Sequence, residues 1–228
     1  MKTNLIILFM ILSINSFSQQ KEVEAGTTIQ TDPDLEFKSD YPEGIYFTKA
    51  EFIAKKPGAV TPVTPKGIGS RNIHPDSIVH NCYFHYTDSG KKVRNVFAVS
   101  YKGHLYFQIK AILKNRNKTD RAQSSNIHNT FVRVIIGGEN YLYTEADLVN
   151  QWAQGIAYNM GAAGGVAAVS MIKGKGIVWD FKNEEFNIFK SCKDYNQFIE
   201  SRYAAGVQKC NQHQPDMEQV REAMREIK

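Results

Sequence analysis

His80 and Cys82 stand two positions apart in a run that reads as a strand, Ile78 to Thr87, so both side chains leave on one face at a separation zinc accepts. His85 leaves on the other face, and neither an HExxH pair nor a cluster of Asp and Glu supplies further ligands. The pattern predicts a strand-surface histidine and a core cysteine in place of a metal centre. Cys82 with either histidine also suggests a thiol nucleophile and its base. A reactive thiolate needs an electropositive, partly exposed setting, whereas Asn81-Cys82-Tyr83-Phe84 reads as a packed strand. The chain has no GxSxG for a serine nucleophile. Asp180, Glu184 and Glu185 are close in sequence, but glycoside hydrolysis needs two carboxyls about 5 to 9 Å apart, usually from separate elements. Their place beside a hairpin turn predicts solvated side chains. The remaining histidines, His74, His104, His128 and His213, form no spacing pattern, and no catalytic, cofactor-binding or metal-binding residue is assigned.

Glycine-rich stretches invite a phosphate-loop reading. Neither Gly137-Gly138 nor Gly161, Gly164 and Gly165 matches GxxxxGK[ST], and the first pair sits between two strand-like runs, where glycine serves a hairpin. The aromatic content, 11 Tyr and 13 Phe, suggests a carbohydrate or peptide platform if Tyr83, Tyr86, Tyr101, Tyr106, Tyr141 and Tyr143 emerge together. Tyrosine at strand spacing more often covers a core edge.

The elements that would position these residues begin at Gly44. Thr48 with Glu51 makes a capping box ahead of Ala50, Phe52, Ile53 and Ala54, predicting a short N-terminal helix that Pro57 stops. Three prolines from Pro57 to Pro65 predict a linker or an edge segment. An antiparallel β-meander follows: Ile78 to Thr87, a turn at Asp88-Ser89-Gly90, Val93 to Ser100, a turn at Lys102-Gly103, and Leu105 to Ile109. Lys114, Arg116, Lys118 and Arg121 then read as a solvated basic loop. Phe131 to Ile136 with Tyr141 to Tyr143, and Ile177 to Phe181 with Glu185 to Phe189, predict two more hairpins. Ser191 or Asp194 opens a helix holding Phe198, Ile199 and Tyr203. Asp216 with Gln219 caps another, with Met217, Val220, Met224 and Ile227 on one face. The fold class expected is α+β.

Residues 1–18 carry Lys2, an apolar run from Leu5 to Leu12 and Ser16-Phe17-Ser18, the pattern of a secretory signal peptide too short to span a bilayer. Export to the periplasm or the medium is expected, with residues 19–43 a flexible leader and residues 44–228 one domain. Lys2 is the only charge in the first 18 residues, so 28 Lys and Arg against 23 Asp and Glu becomes 27 against 23 after cleavage. That small excess argues against a dedicated nucleic-acid binder. Of three cysteines, Cys192 and Cys210 are the preferred disulfide, since both lie in the C-terminal part and Cys82 sits inside a strand-like run.

Gly155 to Ile172 breaks the meander with Gly161, Ala162, Ala163, Gly164 and Gly165. The GxxxG of Gly161 and Gly165 suits close helix packing, self-association or a membrane contact. Asn159, Ser170 and the low transfer energy of Gly and Ala favour packing against the protein's own sheet.

Gly44-Ile45-Tyr46-Phe47-Thr48 leading to Glu51-Phe52 and Lys56-Pro57, the Phe97 to Ile109 hairpin with Gly103, the Gly/Ala stretch, and Val178-Trp179-Asp180-Phe181 before Glu185-Phe186 carry a resemblance. On these residues the chain resembles a group of signal-peptide-bearing exported bacterial proteins of unknown function, over most of residues 44–205. The resemblance implies an exported α+β domain and brings no catalytic residues. Three functions are thus expected in order: a non-enzymatic envelope protein binding a macromolecular or cell-surface partner, an envelope-polymer hydrolase, and a membrane-associating or self-assembling protein acting through Gly155 to Ile172.

Overall fold

The computed structural model describes residues 37–69, 73, 78–150 and 173–228. The signal-peptide reading, the first part of the expected leader, His74 and the Gly155 to Ile172 segment with Gly161 and Gly165 lie outside the described residues. In chain order the strands are β1 (Gly44–Tyr46), β2 (Val63–Lys66), β3 (Asn81–Tyr86), β4 (Ala98–Tyr101), β5 (His104–Gln108), β6 (Gln123–Ser124), β7 (Phe131–Gly137), β8 (Tyr141–Asn150), β9 (Lys173–Asp180) and β10 (Glu185–Ile188). The helices are α1 (Lys49–Ile53), α2 (Ile109–Lys114), α3 (Cys192–Ile199) and α4 (Met217–Ile227).

The strands form one curled, antiparallel sheet in the order β1-β4-β5-β7-β8-β9-β10, and the fold is broadly α+β. β3 and β8 share one edge of β7: Asn81 and Cys82 pair with Val132 and Phe131, while β8 takes over from Val134. A bulge between Val134 and Ile136 lets Ile135 and Ile136 both face the helices α3 and α4. β2, with Pro65 inside it, pairs only with β3 and so lies at an edge, where a missing N–H is tolerated.

One face of the sheet packs α1 and α2 against a continuous aromatic core. Phe52, Phe97, Phe107, Trp179 and Phe186 meet with ring centroids 4.9–5.9 Å apart, mostly edge to face, the favoured arrangement for ring quadrupoles. The other face carries two separate clusters. Val178, Tyr143 and Phe189 pack under α3 and α4, and Cys82, Phe84, Val99, Tyr106 and Phe131 form the second cluster beside β2. Helix starts follow the sequence signals. Thr48 Oγ1 accepts from Glu51 N–H while the Glu51 carboxylate accepts from Thr48 N–H; Ser191 caps α3 and Asp216 caps α4. Cys192 and Cys210 form a disulfide, and Cys82 is a free, buried thiol.

Three segments depart from expectation. Residues 37–43 are tied down in part, with Lys38, Asp40, Pro42 and Glu43 exposed: Tyr41 is buried in the aromatic core, Phe37 packs against it, and Ser39 N–H donates to the Gly103 carbonyl. The Lys114 to Arg121 stretch keeps Lys114, Lys118 and Arg121 exposed, as expected of a solvated basic segment, but it is not a plain loop. Ile109–Lys114 is helical because Ile109, Ala111, Ile112 and Leu113 are buried, a short apolar run that sequence reads equally as strand. The chain after it docks on β10, where Asn117 N–H donates to the Phe186 carbonyl and Phe186 N–H to that of Asn115. β8 and β9 also run longer than the apolar runs predict, since Glu145, Asp147 and Lys175 interrupt the hydrophobic signal while the ladder continues.

Candidate functional site

The β4–β5 hairpin turns at Lys102 and Gly103, both at positive φ, which aligns Ala98 with Phe107 at its open end. Beyond that end the expected strand from Val93 does not form. Asn95 takes a left-handed φ of 56°, and Val96 N–H leaves the ladder to donate to Gln108 Oε1 at 3.2 Å. Consecutive side chains then diverge: Val96 enters the cluster around Phe84, and Phe97 enters the aromatic core.

This divergence opens a groove of about 420 Å³ between the start of α1, residues 95–97 and α2, within the roughly 300–1,000 Å³ of small-molecule sites. Phe47, Val96, Phe97 and Ala111 give it apolar walls. Lys49, Lys110 and Lys114 stand at its lining, which contains no carboxylate. Lys49 pairs with Glu184 at 3.0 Å outside the lining, Lys110 donates to Asn95 Oδ1 at 2.7 Å, and Lys114 has no ion pair among the described residues. Gln108 lines the groove with no solvent exposure. Its Oε1 is committed to Val96 N–H, which fixes the amide orientation, and its Nε2 has no hydrogen-bond partner among the described residues. A buried donor left unmet costs about 1–3 kcal/mol.

A second polar set lies on the opposite outer face, at the seam between the two clusters there. Arg221 of α4 meets Glu145 of β8 in a bidentate pair, Nε to Oε1 at 2.7 Å and Nη2 to Oε2 at 2.8 Å. Tyr143 donates its hydroxyl to Glu145 Oε1 at 2.9 Å. His80 Nε2 lies 2.9 Å from the Glu145 carbonyl, so that nitrogen carries the proton. Burial lowers the His80 pKa from its ordinary value, with the Glu145 carbonyl opposing the shift. Burial and the neighbouring Glu145 raise the Tyr143 hydroxyl well above its usual range. Every acceptor of Glu145 is thus engaged in holding β3, β8 and α4 together, which leaves it poorly suited to proton transfer.

A third set lies beneath the 115–120 segment. Asp120, 1% exposed, accepts from Ile188 N–H at 2.8 Å and pairs with Lys190 at 2.6 Å. Nearby, buried Lys175 donates to Gln123 Oε1 at 2.7 Å, and burial lowers its pKa.

The residues singled out by sequence do not assemble. Cys82 lies in the core with its pKa pushed far up by burial, and His80 turns to the β8 backbone instead of toward it. His85 is half-buried on β3, His104 is buried with Lys38 Nζ at 2.9 Å, and His128 and His213 are exposed. No group of three or more His, Cys, Asp or Glu among the described residues is arranged to hold a metal. Asp180 is buried, contrary to the solvated role expected, and its carboxylate caps the β9–β10 turn by accepting from Lys182 and Asn183 N–H. Glu184 is exposed and pairs with Lys49. The tyrosine platform is dispersed: Tyr101, Tyr106 and Tyr143 are buried, and Tyr83, Tyr86 and Tyr141 are half-buried at separate places.

Among the described residues, the groove brings apolar walls and three lysines together with no carboxylate in its lining. No family model, curated protein or solved structure matches the chain. Of the three groove lysines, only Lys114 belonged to a charge pattern visible in sequence. Asn95, Gln108, Lys49 and Lys110 are scattered over more than sixty positions and carry no spacing signal.

Proposed function

We propose that this chain is an exported, non-enzymatic envelope protein that holds a macromolecular or cell-surface partner, and that the partner enters the groove beside Lys49, Lys110 and Lys114. The observation that carries this reading is the groove itself: an apolar cleft whose charged lining is all of one sign. The Cys192–Cys210 disulfide supports an oxidising destination, as does the N-terminal signal pattern. The engagement of Glu145, Asp120 and Asp180 in fold-holding bonds supports a binding role over a hydrolytic one.

No helix among the described residues is long and apolar enough to cross a membrane. A membrane contact through Gly161 and Gly165 rests on the GxxxG spacing alone.

The test is capture from native envelope by residues 19–228, with and without the paired substitution Lys110→Glu and Lys114→Glu. Salt-sensitive capture lost in the substituted protein supports the groove. Equal capture by both proteins removes it, and unprocessed precursor found in the cytosol removes export.

A further inference from the structure

We infer that the outer face of the β2–β3 ribbon is a second binding site, where Lys66, His85 and Lys92 hold the phosphoryl group of a small soluble phosphomonoester. None of these residues lines the groove, so the site stands independently of it.

Register brings the three side chains together. Thr64 pairs with His85 and Lys66 with Tyr83 across β2 and β3, while Lys92 bridges to His85 from the other flank. Directly paired residues, and residues two apart on one strand, share a face. Thr64, Lys66, Tyr83, His85 and Lys92 therefore emerge opposite Cys82 and Phe84, which enter the core. No carboxylate shares that face in register, and neither lysine has an ion pair among the described residues. Lys92 is held in place, its Nζ 3.5 Å from the centroid of the Tyr83 ring. Partial burial lowers the His85 pKa and the charges of Lys66 and Lys92 lower it further, so both ammonium groups stand near the imidazole. His85 Nδ1 is buried without a partner among the described residues, which leaves Nε2 as the donor that a ligand meets. Donors thus arrive from three adjacent chain segments. A phosphomonoester offers them three oxygens and about −1.5 to −2 charge at pH 7, against two oxygens and a single charge for a carboxylate. Recruitment to an anionic membrane takes clusters of about 4–8 Lys and Arg, so two lysines and a histidine match one soluble phosphoryl group instead.

The probes are inorganic phosphate, acetate and phosphatidic-acid vesicles, each offered at constant ionic strength to residues 19–228. The readout is the His85 ring signal in a proton NMR titration, assigned by its absence from His85→Gln. Phosphate is expected to raise the His85 pKa, since a bound dianion offsets the two ammonium charges, and acetate to raise it less. Lys66→Gln with Lys92→Gln is expected to raise that pKa with no anion present and to weaken phosphate binding about tenfold, the size of one charge-assisted hydrogen bond, in a protein whose remaining spectrum is unchanged. Lysine at a sheet edge also blocks strand pairing, and that role alone predicts no response to phosphate. The proposal is overturned if phosphate leaves the His85 pKa where it was, if acetate raises it as far, or if the double variant binds phosphate as tightly as the parent. Vesicles that carry down the parent but not the double variant would overturn the soluble source and move the phosphoryl group onto a lipid.

Discussion

Arg221 and Glu145, 76 residues apart, form a bidentate ion pair that ties the C-terminal helix to the eighth strand at the seam between two hydrophobic clusters. The Glu145 side chain is 10% exposed, so removing its partner strands a buried charge. Arg221→Met is expected to cost about 3 kcal/mol in urea unfolding, and adding Glu145→Gln to recover part of that loss. Additive losses from the two single changes would show that the pair carries no coupling.

His80 gives the seam a pH dependence. Its folded pKa is lowered, so below the ordinary histidine value the unfolded chain takes up a proton that the folded chain refuses. The stability is whole above about pH 6.5 and is lost as pH falls from there toward the depressed folded value. Unfolding midpoints are expected to drop between about pH 7.5 and pH 5.5, with a shallower drop in His80→Asn, which keeps a donor for the Glu145 carbonyl. Identical slopes for the two proteins would place the dependence elsewhere.

Two glycines of β9 make opposite predictions from one face. A Cβ on Gly176 would lie 2.7 Å from Phe189 Cδ2 and 3.1 Å from the Tyr143 ring, so Gly176→Ala forces two packed rings apart. The expected cost is about 1–3 kcal/mol. At Gly174 the nearest atom is Asp147 Oδ1 at 3.9 Å, so Gly174→Ala is expected to be neutral or to stabilise by about 0.5 kcal/mol. Thermal melts of both variants check the contrast.

The disulfide closes a loop of 18 residues that carries the route from α3 towards α4. Replacing Cys192 and Cys210 with serine is expected to cost about 3 kcal/mol, the loop-closure entropy returned to the unfolded chain. Cys82 should stay inert to thiol reagents in both proteins until global unfolding, since it is fully buried. Mass spectrometry across a urea series reads both outcomes, and early labelling of Cys82 would show that the sheet opens locally.

Local chemistry was legible. The Thr48–Glu51 capping box, the Ser191 and Asp216 caps and the Lys102-Gly103 hairpin are decided by side chains within four residues of one another, and each forms as the sequence dictates. The apolar stripe of α4 and the burial of Cys82 follow from periodicity alone. The Cys192–Cys210 pair was already narrowed by where the three cysteines lie along the chain.

The groove was beyond reach for a stated reason. Val96 gives its N–H to a side chain twelve residues away, and β4 begins only at Ala98, well after the Val93 start that the apolar run suggests. The long reach of β8 and β9 was hidden likewise, because Glu145 and Lys175 look like surface residues until Arg221 and Gln123 arrive from distant elements. Sequence settled what neighbours along the chain settle: caps, turns, amphipathic faces and an α+β class. Only tertiary structure decided which buried polar groups find partners, because each such bond joins residues whose separation in the chain carries no information about their separation in space.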